Sequence, residues 1–168
     1  MNDPVVEVPA TASLQDRYAI RRRSATRPPV WDVALTIAVG GALGAIARYA
    51  VSTAWPHPPG GFPWTTFAIN VTGCLLIGAL MVVLTELAGH PHRLIRPFLG
   101  VGILGGFTTF STYTVDTQQL ISAGNPGLAL GYLFGTLAAA LVAVQVGVVA
   151  ARLLTRLPTR RRPRRGRA

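Results

Sequence analysis

The stretch that decides the fold is GVGILGGFTTFSTYTVD, residues 100–116. It lies within an apolar segment long enough to span a membrane, yet it holds four glycines and a run of Thr and Ser. Glycine, Thr and Ser have low helix propensity and disfavour an uninterrupted lipid-facing helix. The pair Gly105–Gly106, followed by Thr108–Thr109, predicts a break that frees backbone carbonyls. Unwound backbone at membrane depth is tolerated only where it is buried in protein, lines a cavity or holds an ion.

The composition of the whole chain points to a membrane protein. Half of the 168 residues are hydrophobic and 13% are charged, against about 25% in soluble domains. The charges cluster near both ends of the chain and between positions 86 and 96, with apolar stretches between the clusters. This pattern argues against a soluble domain with apolar core helices.

Four apolar segments are predicted to cross the membrane: Val33–Thr53, Thr65–Leu87, Pro97–Ser122 and Gly127–Leu153. Their lengths suit about 30 Å of hydrocarbon at about 1.5 Å of rise per helical residue. Backbone amides in hydrocarbon must be bonded within their own segment, so we expect helices. Short connections make neighbouring helices antiparallel. The predicted fold is all-α, a four-transmembrane-helix membrane protein with a broken third helix.

The basic residues predict the orientation of the chain. Of 16 Arg, five lie in residues 1–32, two in the loop at 93 and 96, eight from 152 onward, and Arg48 lies within a span. The loops at 54–64 and 123–126 hold no Lys, Arg, Asp or Glu. Because cytoplasmic loops are enriched in Arg and Lys, both termini are predicted to be cytoplasmic, at the cell membrane. We therefore expect a disordered basic cytoplasmic arm over 1–32, a four-helix transmembrane domain over 33–153 and an Arg-rich cytoplasmic tail over 154–168. No nucleic acid partner is expected.

Two polar residues inside the spans need partners. A charge such as Arg48 costs about 2.5–3.5 kcal/mol at the centre of a membrane helix unless it reaches water or a partner. It could extend outward to water or attract an anion into a vestibule, and the sequence leaves both open. Asn70 lies in the middle of the second span. Its amide could bond across helices or donate to a passing anion.

Phe110 and Tyr113 are three residues apart and would share one face of a helix. The edges of aromatic rings carry partial positive charge and could line a path for a small anion, although ordinary packing is the more common explanation of such a pair. The sequence holds no zinc-type ligand cluster, phosphate-cradling loop or nucleophile–base pair. We therefore do not expect an enzyme.

Taken together, the spans resemble the CrcB/Fluc family of fluoride channels. The matching stretches are GGALGAIARY at 40–49, TTFAINVTGCLLIG at 65–78 and GGFTTFSTYTVD at 105–116. The resemblance implies an antiparallel dimer of four-helix subunits with a structural sodium ion, held in this chain by carbonyls of Gly105 and Thr108. It implies an anion pathway formed by the following residues: Asn70, Phe110, Ser111, Tyr113, Thr114, Thr136 and Arg48.

This chain departs from the family pattern at two positions. Tyr113 stands where the family usually has Phe, and Ala140 stands where a polar track that begins at Tyr132 and Thr136 would carry its last hydroxyl. The resemblance implies passive export of fluoride across the lipid bilayer by a dimer. The one-sided distribution of Arg predicts that the second subunit is a homologous chain rather than an identical copy. The alternative is a small multidrug-type proton-coupled exporter, which would need a carboxylate deep within a span. Glu86 and Asp116 lie towards span ends instead.

Overall fold

The structure is a computed structural model that describes residues 30–58, 60–87 and 92–156. The chain divides into two units, residues 1–32 and residues 33–168. The predicted disordered arm up to residue 29 and the predicted Arg-rich tail from residue 157 lie outside the described residues.

The described chain is helical, in five segments. Helix α1 is Val30–Ala54, and α2 is Trp64–Val82, which continues as a π-helical end, Val83–Leu87. Helix α3 combines a π-helical segment, Pro97–Leu104, with one α-helical turn, Gly105–Phe107. Helix α4 is Ser111–Ser122, and α5 is Pro126–Arg156.

The five segments form four stretches that are long and apolar enough to cross a membrane, as the sequence predicted. These are Val30–Ala54, Trp64–Glu86, Pro97–Ser122 and Pro126–Thr155. The third stretch contains both α3 and α4. The first begins three residues before the predicted Val33, and α5 continues three residues beyond the predicted Leu153. These extensions carry helix into segments that the sequence assigned to the polar arm and tail.

A tight turn joins α4 to α5. Gly124 has a φ of 79°, in the left-handed region that favours glycine after a helix. The amides of Ala123, Gly124 and Asn125 donate to carbonyls of the last turn of α4. Pro126 then opens α5, where its fixed φ suits the first helical position and its missing N–H is not needed.

Helices α1 and α3 meet through glycines. A Cβ at Gly40 would lie 2.6 Å from the Phe98 carbonyl oxygen, and a Cβ at Gly44 would overlap the Ile103 carbonyl. The same holds in reverse, because Gly102 and Gly106 face the backbone of α1 around Gly40 and Gly41. Small residues spaced by four let membrane helices approach to backbone contact, so these glycines fix where α1 crosses α3.

Helices α2 and α5 pack against each other over an extensive contact. At their crossing, a Cβ on Gly78 would overlap the Val144 carbonyl, and one on Gly147 would overlap the Leu75 carbonyl. Small residues recur every four positions along α5, from Gly127 to Gly147. Ala143 and Gly147 of this row are buried, whereas an added Cβ would meet no atom within 4 Å at the earlier glycines: Gly127, Gly131 and Gly135.

An aromatic cluster joins the ends of α2, α4 and α5. Tyr132 and Leu120 are buried there, with Phe62, Phe67 and Tyr113 packed around them. The rings of Phe62 and Tyr132 meet edge to face at a centroid distance of 5.3 Å, a favoured geometry for aromatic pairs. This cluster holds the first turn of α5 against α4, and so positions the site described next.

Candidate ion-pathway site

Residues 108–110 lie between α3 and α4 in a non-helical conformation. Thr108 is extended, with φ −73° and ψ 161°, while its hydroxyl donates to the Leu104 carbonyl at 3.0 Å. The hydroxyl of Thr109 accepts a hydrogen bond from the Thr112 amide at 3.1 Å. Hydroxyl side chains thus occupy backbone groups on both sides of the connection, which is why the Thr-rich sequence supports it.

Asn70 in the middle of α2 fastens this connection. Its Nδ2 donates to the Thr109 carbonyl at 2.9 Å, and its Oδ1 accepts from the Thr109 amide at 2.9 Å. Both backbone groups of one non-helical residue are therefore satisfied by one side chain. In hydrocarbon, where unpaired backbone groups are costly, such a partner is required for the chain to leave the helix.

This arrangement redirects the amides that would bond Gly105 and Thr108 in a continuous helix. The i+4 donor for the Gly105 carbonyl is the Thr109 amide, which donates to Asn70 instead. The i+4 donor for the Thr108 carbonyl is the Thr112 amide, which donates to the Thr109 hydroxyl. Both carbonyls that the resemblance assigned to sodium thus have their helical donors bonded elsewhere.

A cavity of about 750 Å³ opens beside the connection. Its lining includes six of the predicted site residues: Asn70, Thr108, Phe110, Tyr113, Thr114 and Thr136. Cys74 and Ala140 also line it, and Cys74 is not among the site residues predicted from the sequence. Ser111, Gly105 and Arg48 are not part of the lining. The cavity brings together residues of α2, α4 and α5 that are far apart in sequence.

The two predicted pore rings have different surroundings. Phe110 is 79% exposed on the surface of the single chain. Tyr113 is half-buried, packs on the aromatic cluster and donates its hydroxyl to the Leu133 carbonyl of α5. The centroids of the two rings are 5.9 Å apart. Phe110 therefore projects from the chain, whereas Tyr113 belongs to its interior.

The hydroxyl protons of the site are unequally available. Thr114 donates to the Phe110 carbonyl at 3.0 Å in its own helix, and the Tyr113 proton is held by Leu133. Ser111 Oγ lies 3.3 Å from Thr109 Oγ1, with either oxygen able to donate. Thr136 Oγ1 is buried and has no hydrogen-bond partner among the described residues. Since buried polar groups are nearly always bonded, the Thr136 hydroxyl is the group of this site that lacks an internal partner.

Arg48 reaches across to α3. Its Nε donates to the Gly106 carbonyl at 3.2 Å, so this membrane charge has a backbone partner on α3. Gly106 adjoins Gly105, and the guanidinium therefore lies next to the predicted cation ligands. Its predicted place in an anion pathway stays a prediction.

A buried polar group around Asp116 lies behind the cavity, and the sequence predicted only part of it. Asp116 is 5% exposed, with the Tyr132 hydroxyl 3.4 Å from one oxygen and His57 Nε2 4.0 Å from the other. The sequence placed Asp116 near a span end but gave no partner for it. Its neighbours come from α5 and from the connection between α1 and α2, so no local pattern links them.

The family model described as CrcB-like protein, Camphor Resistance (CrcB), matches residues 35–148, which include the whole site. The chain belongs to the CrcB/FluC family. This confirms the family that the three sequence stretches suggested. The matched region extends over all four candidate spans, so the CrcB chain is a multi-pass membrane protein.

Similar proteins carry channel names. The chain is 55% identical over 121 residues to fluoride-specific ion channel FluC 2 of Streptomyces avermitilis, covering 72% of this chain and 75% of that one. It is 57% identical over 117 residues to fluoride-specific ion channel FluC 2 of Nocardia farcinica, covering 68% and 83%. It is 54% identical over 125 residues to fluoride-specific ion channel FluC 1 of Streptomyces coelicolor, covering 74% and 80%. Membership of this CrcB/FluC family confirms that the chain belongs among channels rather than enzymes.

Proposed function

We propose that this chain is a subunit of a fluoride-selective channel that exports fluoride passively and lowers its cytoplasmic concentration. The observation that supports this most directly is the cavity beside Phe110, which Thr136 lines and where the buried Thr136 hydroxyl has no partner among the described residues. A buried donor without an internal partner suits a ligand that accepts hydrogen bonds, and fluoride is such a ligand. The names of the similar proteins give the same ion.

The remaining groups of the cavity suit a small anion. Asn70 uses one amide hydrogen on Thr109, and an amide nitrogen carries two, so the second is free to donate. The Phe110 ring offers a partially positive edge. The tyrosine and Thr114 hydroxyl protons are bound to backbone carbonyls. We therefore assign donation to Asn70 and Thr136, which line the cavity, and to the exposed Ser111 just outside its lining. Phe110, Tyr113 and Thr114 are assigned a lining role.

Passive export follows from the charge of the ion. Hydrogen fluoride is neutral and crosses membranes from an acidic exterior, and the near-neutral cytoplasm retains the anion that it releases. An inside-negative potential then favours outward movement by about 2.3 kcal/mol per charge per 100 mV. A proton-coupled multidrug exporter, the alternative, is not favoured. Glu86 pairs with Arg152 at 2.9 Å in an exposed position near the helix ends, and Asp116 is bonded by Tyr132.

The third span is proposed to be a broken helix that holds a structural sodium ion. Hard cations such as sodium prefer oxygen ligands, and the helical donors for the carbonyls of Gly105 and Thr108 both bond elsewhere. Two such carbonyls from each of two chains would supply four ligands. Among the described residues there is no group of three or more His, Cys, Asp or Glu that would offer a competing metal site.

Sodium exchange tests this site. Replacing sodium by caesium throughout purification should weaken assembly or transport, because a larger ion does not fit carbonyls placed for a smaller one. Thr108→Val should have little effect, since it keeps the carbonyl and the methyl group that packs at Gly73. Equal assembly and transport in both cations would contradict the proposal.

The channel is proposed to be an antiparallel dimer in the cell membrane, with both termini of this chain cytoplasmic. Phe110, Ser111 and Thr114 are all exposed on the single chain, although a membrane-embedded anion path must be enclosed. A second subunit, either a copy or a homologous chain, would close the cavity. Exposed apolar residues along α1, such as Leu35 and Ile46, are suited to lipid or to that subunit.

The direct test is fluoride efflux from proteoliposomes, measured with a fluoride electrode. Liposomes loaded with fluoride and containing the chain, with a homologous partner where one is required, should release fluoride and retain chloride. Liposomes without protein are the control. Equal release of both ions would contradict selectivity, and retention of both would contradict the channel.

A further inference from the structure

Tyr113 is the residue at which this chain departs from the usual ring of its family, and its added hydroxyl has a defined partner. The hydroxyl donates to the carbonyl of Leu133, the residue that follows the buried Tyr132 on α5. The ring packs against Tyr132 at 5.2 Å and against Phe110 at 5.9 Å between centroids. Tyr113 is thus held at its tip by a hydrogen bond and on its sides by aromatic rings.

We infer that this hydrogen bond slows the passage of ions and so acts as a brake. The Tyr113 hydroxyl tethers a pore-lining ring to α5 and restrains the neighbouring Phe110. The inference rests on the proposed channel function. Tyr113 lines the same cavity as Phe110, Asn70 and Thr136. In a narrow path, an ion can pass a ring only if the ring yields by turning about its Cα–Cβ bond. That movement would pull the Tyr113 hydroxyl away from Leu133.

The size of the effect follows from the bond that must break. One hydrogen bond contributes about 1 kcal/mol net, which corresponds to about fivefold in a rate or equilibrium. The acceptor is a backbone carbonyl of α5, so no side-chain movement on α5 can release it. Phe110 has no comparable anchor, because it is 79% exposed and its described ring contact is with Tyr113. Tyr113 is therefore a positioning residue for Phe110.

Tyr113→Phe is the test, because it removes the hydroxyl and keeps the ring. We expect fluoride efflux from proteoliposomes, which include the homologous partner where one is required, to rise by about fivefold, with the oligomeric state unchanged in size-exclusion chromatography. Tyr49→Phe is the matched control, since Tyr49 is 70% exposed on α1, away from the cavity. It should leave efflux as in the wild type. Unchanged or lower efflux from Tyr113→Phe, with intact assembly, would overturn the brake.

Fluorine NMR separates this inference from the proposed function. A meta-fluorotyrosine at position 113 should give the signal of one ring environment, because the hydroxyl is tethered. A meta-fluorophenylalanine at the same position should show exchange between environments. This measurement does not depend on fluoride transport, so it reports on the tether even if efflux were absent. A signal with the same exchange behaviour for both labels would show that the hydroxyl does not restrain the ring.

Discussion

Asn70 and Thr109 exchange two hydrogen bonds of 2.9 Å, one in each direction. This single side chain satisfies both backbone groups of a residue that lies outside any helix. It also explains why the Gly105 carbonyl loses its helical donor. The geometry between α3 and α4 therefore depends on a residue of α2 that lies 39 positions away.

Asn70→Leu should destabilise the fold, because the Thr109 amide and carbonyl would both lose their partner. We expect a loss of about 2 kcal/mol, within the range for unsatisfied buried groups. The temperature of thermal unfolding in detergent should fall accordingly, and fluoride efflux should be lost. Gln145→Leu is the control, since Gln145 is an exposed amide on α5. If both variants unfold at the same temperature as the wild type, Asn70 does not hold the connection.

Phe110→Ile should abolish most fluoride efflux, since it replaces a partially positive ring edge with an aliphatic surface at the exposed position of the cavity. Assembly should be unaffected because Phe110 is not part of the buried aromatic cluster. Efflux and size-exclusion chromatography measure the two properties separately. A fully active variant would mean that the ring serves only for packing.

Thr136→Val should reduce fluoride efflux by about tenfold, the equivalent of one hydrogen bond to a charged group. Stability should be unchanged or higher, because a buried hydroxyl without an internal partner is replaced by a methyl of similar size. Thr85→Val is the matched control. Its hydroxyl donates to the Met81 carbonyl at 2.7 Å near the end of α2, away from the cavity. Lower stability of Thr136→Val with unchanged efflux would assign the hydroxyl to folding rather than to ion passage.

The spans could be predicted from the sequence, because membrane-length apolar segments and their flanking charges are local properties. The weak point at Gly105–Gly106 could also be identified, since glycine and hydroxyl residues destabilise a helix wherever they occur. The pairing of Asn70 with Thr109 could not, because it depends on how α2 packs on another helix. Gly40 and Gly44 are spaced as close helix contacts require, but their partners on α3 are known only from the fold. The direction of Arg48 was undetermined for the same reason.

Gly44→Ala should prevent α1 from packing on α3. The added Cβ would overlap the Ile103 carbonyl and lie 2.8 Å from the Phe107 amide nitrogen. Backbone atoms cannot rotate away, so we expect a loss of about 1–3 kcal/mol or a failure to fold. Gly41→Ala on the same helix is the control, because its Cβ would meet no atom within 4 Å. Thermal unfolding of both variants in detergent gives the comparison, and equal stability would contradict the glycine crossing.

The second subunit of the dimer is expected to be a different chain. An antiparallel dimer of identical chains requires each chain to insert in both orientations, which needs nearly balanced basic residues on the two sides. In this chain fifteen Arg lie on the predicted cytoplasmic side, and the opposite loops, residues 54–64 and 123–126, hold none. Such a bias should fix one orientation, and two chains fixed the same way cannot form an antiparallel interface.

We therefore expect an obligate partner: a homologous four-span chain inserted with both termini outside. Such a partner would also allow Tyr113 and Ala140 to depart from the family pattern, because the second chain could carry the intact residues. Reporters of topology fused to the C-terminus should give a cytoplasmic signal alone, and the chain purified by itself should not conduct fluoride. An even division between inside and outside signals, or strong efflux from this chain alone, would instead establish a dimer of identical subunits.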